Sequence, residues 1–216
     1  MSRRTLQEAR RYLLGALALE AVLAPLRVLR GRLVLAVGAA CLIFFRDPER
    51  DAPRDADTVY APADGVVVAV EDDAAEPWLG DRAALRISTF LAIYDVHVNR
   101  SPTAGRIAAA DETPGGYAPA FLGRATENHR KRLAIDAGNR RVILVQFAGM
   151  LARRISSWAW LGDRVEAGQR IALIHLGSRA DVYVPAAEAR PLVAVGERVR
   201  AGITPIARYV AAEVAA

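Results

Sequence analysis

"LGDRVEAGQRIALI", residues 161–174, and "VGERVRAGITPIA", residues 195–207, share one pattern: Gly, acid, Arg, Val, any residue, Ala, Gly. Each copy sets a turn, a half-buried valine and a second turn ahead of a strand. Outward from the first copy, "RIALIHLGSRADVYVP" (170–185) reads as a buried strand carrying Ile171, Leu173 and Ile174, then Leu176-Gly177-Ser178-Arg179, then a second strand. Glycine reaches positive φ without steric cost and serine is a common turn residue, so by itself this stretch is a tight turn joining a strand pair. From about residue 56 the same texture recurs in "DGVVVAVE", "LRISTFLAIYDVHVNRSP", "GRIAAA" and "RVILVQFAG". Short β-branched runs between Gly, Pro and Asp predict the strands of a sandwich or barrel with few helices.

The duplicated hairpin is similar to the β hammerhead of lipoyl and biotinyl domains, and "PADGVVVAV" resembles the opening strand of that unit. The expected fold is therefore mainly β, a barrel-sandwich domain over residues 51–216. Residues 1–50 stand apart from it. Within them, residues 11–45 carry an apolar stretch broken near Pro25 to Gly31, with an uninterrupted run from Leu33 to Phe45. As a helix that run is about 20 Å long, short of the roughly 30 Å hydrocarbon core. It ends in "FFRDPER" and not in a small-residue cleavage site, which argues against a removed signal peptide. Arginines 3, 4, 10, 11, 46 and 50 flank the segment, so a helical hairpin lying shallowly in one leaflet is expected, with a buried hairpin of a soluble core as the competitor.

Composition removes several function classes. Cys41 is the only cysteine, which excludes an intrachain disulfide or a cysteine-based zinc site. Lys131 is the only lysine and sits in "NHRKR", which reads as a solvated basic run. A pyridoxal enzyme or a lipoyl carrier, each of which needs a dedicated lysine, is disfavoured. The net charge of +5 beside an apolar segment suits an anionic membrane surface, and no aromatic-studded basic face recommends a nucleic acid.

The three histidines, His97, His129 and His175, form neither a His-x-His pair nor a His-Glu-x-x-His motif, so no metal site is expected. In "YDVHVNRSP" the alternation puts Asp95, His97 and Asn99 on the polar face of a strand, ordinarily a surface position. Asp64 in "APADG" reads alone as an Asp-Gly turn acid. His175 reads as a packed strand residue. Trp158 and Trp160 in "SSWAW" fit equally a membrane-facing rim and a core.

Four motifs together are more specific. "FFRDPER" (44–50), "APADG" (61–65), "DVHVNRSPTAGRI" (95–107) and "HLGSRADVYVP" (175–185) occur in the order and approximate spacing of the short bacterial phosphatidylserine decarboxylases, which the chain resembles over nearly its whole length. The resemblance implies scission between Gly177 and Ser178, by attack of the Ser178 hydroxyl on the Gly177 carbonyl, elimination, and conversion of residue 178 to a pyruvoyl group. It further implies that this group decarboxylates phosphatidylserine to phosphatidylethanolamine, with His97 as proton donor and Asp64 orienting His97. Arg179, Glu127 and Asn128 become candidate contacts to the substrate headgroup. Fragments 1–177 and 178–216 would stay together noncovalently as a heterodimer on the cytoplasmic face of the cell membrane, with higher oligomers left open. Longer family members carry Leu-Gly-Ser-Thr and two histidines near 95–102, where this chain has Leu-Gly-Ser-Arg and His97 alone. A noncatalytic membrane-anchored β module and a pyruvoyl decarboxylase of a soluble amino acid are the other readings.

Overall fold

The computed structural model describes residues 2–24, 31–51, 55–116, 127–149, 154–175 and 178–210. The chain divides into two compact units, residues 1–49 and 50–216.

The first unit is a pair of helices, α1 (Arg3–Leu23) and α2 (Arg32–Phe44). α1 begins well before the apolar stretch because the Ser2 side chain caps it, accepting from Thr5 N at 3.3 Å. The Glu20 carboxylate does the same service for α2, accepting from Val34 N at 3.0 Å and from Gly31 N. An acid at a helix N-terminus satisfies free N–H groups and opposes the helix dipole, so Glu20, the one acid inside the apolar stretch, ties the two helices together. Among the described residues no helix is long and apolar enough to cross a membrane.

The second unit is mainly β, as the short β-branched runs predict. In chain order its strands are β1 (Thr58–Tyr60), β2 (Gly65–Ala74), β3 (Ala84–Leu91), β4 (Val98–Arg100), β5 (Gly105–Thr113), β6 (Arg130–Ala137) and β7 (Arg140–Phe147). They continue with β8 (Ile155–Ser157), β9 (Arg164–Val165), β10 (Arg170–Ile174), β11 (Ser178–Pro185), β12 (Ala189–Pro191), β13 (Arg198–Val199) and β14 (Pro205–Tyr209). An eight-stranded sheet runs in the order β13-β2-β3-β11-β7-β6-β5-β9, beside two three-stranded sheets, β1-β14-β12 and β4-β10-β8.

The sequence repeat governs this arrangement. Its two short strands, β9 and β13, close opposite edges of the large sheet, Val165 pairing with Gly105 and Val199 with Gly65. The second turns of the two copies meet. A Cβ added at Gly202, where φ is +70°, would lie 2.8 Å from the Gly168 Cα, so the second turn tolerates no side chain at the contact.

One face of the large sheet carries the main core: Leu85, Ile87, Leu133, Leu144, Val182 and Val184 pack together there. By strand alternation the same face continues through Thr89 on β3, Ser178 on β11, Gln146 on β7 and Lys131 on β6. The core face thus turns polar at one end.

Three expectations are corrected. The stretch 170–185 is not a hairpin: β10 pairs with β4 and β8 while β11 pairs with β3 and β7, so the chain crosses between sheets after Ile174. The stretch 85–102 is not one strand either. β3 ends at Leu91, and the Asp95 carboxylate accepts from Ala92 N at 2.9 Å, closing a turn that carries the chain to β4 in the other sheet. Lys131, finally, is buried and not solvated, because β6 points it to the core side with Leu133 and Ile135. Its Nζ donates to Ser157 Oγ and lies 4.6 Å from the centroid of the Trp160 ring, and burial pushes its ammonium below the usual lysine value.

Candidate active site

Ser178 is the first residue of β11, fully buried, and its Oγ has no hydrogen-bond partner among the described residues. Two ladders fix what lies beside it. Ser178 pairs with Leu91 at the end of β3, and Leu173 pairs with Val98 at the start of β4. The ladders therefore tie Ser178 to the residue before the turn that carries His97 and Leu173 to the residue after His97, so His97 lies against the end of β10. Ile174 N donates to the His97 carbonyl at 3.2 Å, and Asn99 Nδ2 donates to the same oxygen at 3.4 Å. Gly177 and Leu176 lie outside the described residues.

His97 is fully buried, contrary to the surface position that alternation predicts. The reason is the turn before it, which removes the residue from a strand exposed on one side. Its Nδ1 lies 2.9 Å from the Asp95 carbonyl oxygen. A carbonyl only accepts, so Nδ1 carries the proton and the lone pair of the neutral ring is on Nε2. Asp95 sets this geometry twice: its carboxylate closes the turn and its main chain orients the imidazole. Arg198 Nη2 in turn donates to Asp95 Oδ1 at 2.9 Å.

Asp64 reaches the same region from the other side, since Arg100 N on β4 donates to the Pro62 carbonyl at 2.8 Å. The hydrogen bonds described for Asp64 are to Arg50 and Ala201. Arg50 donates from Nη1 to Asp64 Oδ1 at 2.6 Å and from Nη2 to Oδ2 at 2.7 Å, and Ala201 N donates to Oδ1 at 2.8 Å. A fork-to-fork guanidinium outcompetes an imidazole for a carboxylate, because it matches both oxygens and is always charged. Both side chains are largely shielded from water, at 10% and 15% exposure. Arg50→Met should then leave Asp64 desolvated without its cation and lower unfolding free energy by about 3 kcal/mol in urea titration, while an unchanged midpoint would contradict this account of the pair.

The headgroup candidates fare differently. Arg179 alternates to the face of β11 opposite Ser178, where its Nη2 donates to Asp181 Oδ2 at 2.8 Å and its guanidinium stands 4.5 Å from the Phe147 ring centroid. Asp181 is fully buried there; burial pushes its carboxyl up and the Arg179 charge opposes the rise. Asn128 is buried and donates from Nδ2 to the Ala148 carbonyl at 3.1 Å, just past the end of β7, and Glu127 is exposed beside it. Of the remaining histidines, His175 Nε2 lies 3.1 Å from Ser156 Oγ and His129 Nε2 lies 3.0 Å from Glu112 Oε1. Trp160 is 61% exposed and Trp158 is half-buried.

Sequence reasoning missed Arg50, Asp95, Asn99 and Gln146. Gln146 gave a signal, as the one polar residue in "VILVQFA"; the roles of Asp95 and Asn99 depend on a turn that the alternating pattern conceals.

A pyruvoyl group fits these residues. It is made from a serine, and here the serine hydroxyl is buried and has no hydrogen-bond partner among the described residues, while His97, whose basic nitrogen is defined, lies in the turn that follows the strand paired with Ser178.

The comparisons agree with the geometry. The family model for phosphatidylserine decarboxylase matches residues 37–207. The phosphatidylserine decarboxylase proenzyme of Polynucleobacter asymbioticus is 46% identical over 168 residues, covering 77% of each chain. That of Symbiobacterium thermophilum is 41% identical over 198 residues, covering 90% of this chain and 91% of the relative. A match of this extent establishes that the chain belongs to the phosphatidylserine decarboxylase family.

Proposed function

We propose that this chain is a carboxy-lyase that matures by cutting itself between Gly177 and Ser178 and then removes the carboxylate of phosphatidylserine, giving phosphatidylethanolamine. The observation that carries the reading is Ser178, a buried hydroxyl at the start of β11 with no hydrogen-bond partner among the described residues, paired with Leu91 just before the turn that leads to His97. In the uncut chain His97 Nε2 takes the Oγ proton and Oγ attacks the Gly177 carbonyl, moving the Gly177 acyl group from nitrogen to oxygen. Elimination frees the Gly177 carboxylate, and addition of water with loss of ammonia converts residue 178 to the pyruvoyl group. That group supplies the electron sink that pyridoxal supplies elsewhere. His97, held by Asp95, delivers the proton that replaces carbon dioxide on the product. Asp64, locked to Arg50 and to Ala201 N, holds the 61–65 loop against this region.

The fragments 1–177 and 178–216 remain one body after the cut. β11 lies between β3 and β7, β13 pairs with β2 and β14 with β1, so the smaller fragment is hydrogen-bonded to the larger in three places. The helical pair exposes Leu6, Leu14, Leu17, Val22, Leu35 and Leu42, and arginines cluster at its start. Such a surface suits shallow attachment to an anionic leaflet, where the lipid headgroup is within reach without extraction of the tails.

Carbon dioxide release from phosphatidylserine vesicles and from free serine, measured side by side, tests the substrate. Turnover of the lipid alone is expected. Turnover of free serine alone would move the reading to a decarboxylase of soluble amino acids, and turnover of neither to a noncatalytic module.

A further inference from the structure

The polar end of the core face holds more than Ser178. On strands β3, β7 and β11, three buried atoms on that face have no hydrogen-bond partner among the described residues: Thr89 Oγ1, Gln146 Oε1 and Ser178 Oγ. They are neighbours by register. Ala180 pairs with Thr89 on one side and with Gln146 on the other, and Ser178 is the next residue of β11 on the same face. With strands about 4.8 Å apart and same-face residues about 6.8 Å apart along a strand, the three side chains surround the small Ala180 methyl. Buried polar atoms left unpaired are costly and uncommon, and a cluster of them around one small residue marks a place where something else is meant to bind.

The chemistry of that place can be read from the amides. Asn99 Nδ2 donates to the His97 carbonyl at 3.4 Å, which fixes Asn99 Oδ1 as the acceptor for Gln146 Nε2 at 2.8 Å. The orphan atom of Gln146 is therefore its oxygen, and an amide oxygen only accepts. Thr89 offers a hydroxyl, which can donate. An acceptor and a donor on either side of Ala180, with residue 178 next along the same face, match a ligand with an amine and a carboxylate on one carbon. The Arg179 cation is absent from this side, since it faces the other way with Asp181.

We propose that Gln146 and Thr89 recognise the serine headgroup of the substrate: Gln146 Oε1 accepts from its amine, and the Thr89 hydroxyl donates to its carboxylate. Asn99 is a positioning residue that holds the Gln146 amide in register with the His97 main chain. The inference rests on the reading that residue 178 becomes the reactive group.

The test compares Thr89→Val, which is nearly isosteric, Thr89→Ser, which restores the hydroxyl, and Gln146→Leu with the wild type. Two readouts are taken: the extent of self-cleavage by intact mass, and kcat and KM on phosphatidylserine in mixed micelles, with phosphatidylethanolamine as a competing amine that has no carboxylate. All four chains are expected to cleave, because these atoms have no hydrogen-bond partner among the described residues of the uncut chain. Thr89→Val and Gln146→Leu should each lower kcat/KM by about 10- to 100-fold, chiefly through KM, with Thr89→Ser near wild type. Inhibition by phosphatidylethanolamine should weaken in Gln146→Leu and persist in Thr89→Val. Values of kcat/KM within twofold of wild type in both variants, or an uncut Thr89→Val chain, would overturn the proposal. A wild type that cleaves but ignores phosphatidylserine would instead refute the function on which it rests.

Discussion

Ser178→Ala is expected to leave the chain whole and its decarboxylation at the uncatalysed background. The side chain has no hydrogen-bond partner among the described residues and lies in a tightly paired strand, so removing one oxygen costs the fold little. It even deletes an unsatisfied buried hydroxyl, whose burial is worth about 1–3 kcal/mol against the folded state. The predicted variant is thus a stable uncut protein with no electron sink, a combination that a purely structural serine cannot produce. Gel mobility, unfolding midpoint and carbon dioxide release measured on one preparation decide it. A cut Ser178→Ala chain, or an uncut one that still turns over lipid, would remove Ser178 from the chemistry.

The second large effect is at His97. His97→Asn keeps an N–H that can reach the Asp95 carbonyl but removes the ring nitrogen that accepts a proton. General acid-base catalysis by a positioned side chain contributes about 10²- to 10⁴-fold, and loss on that scale is expected in decarboxylation. Self-cleavage should slow as well, so that uncut chain accumulates during expression. Asp95→Asn provides the control, because the main-chain carbonyl that orients the ring remains while the charge toward Arg198 is lost. It should fall less than His97→Asn in both assays. Wild-type rates in His97→Asn would contradict its place as the base.

Much of this could be read from the chain, for identifiable reasons. The duplicated Gly-acid-Arg-Val-x-Ala-Gly hairpin is a local pattern, and it became the two edges of the large sheet joined at Gly168 and Gly202. The motifs that carry His97 and Ser178 stand out in the sequence because they occur in the order and approximate spacing of the family, which the comparisons bear out. What escaped was set by long-range pairing. The run 170–185 looks like a hairpin because its two strands are adjacent in sequence, yet they enter different sheets, and only the partners β4 and β3 reveal it. The burial of His97 follows from the same crossing. Lys131 looked solvated because "NHRKR" is dense in charge, but strand alternation separates Lys131 from Arg130 and Arg132 and turns it to the core side. The Arg50–Asp64 pair joins two motifs that the sequence displays separately, and nothing local distinguishes it from a pairing of Asp64 with His97.

The most direct test of the central claim is the intact mass of the purified wild-type chain. The account predicts two species, residues 1–177 and a fragment that begins at residue 178 without an α-amino group, whose masses sum to that of the intact chain plus one water minus one ammonia. A single unmodified full-length chain in a preparation that decarboxylates phosphatidylserine would contradict it.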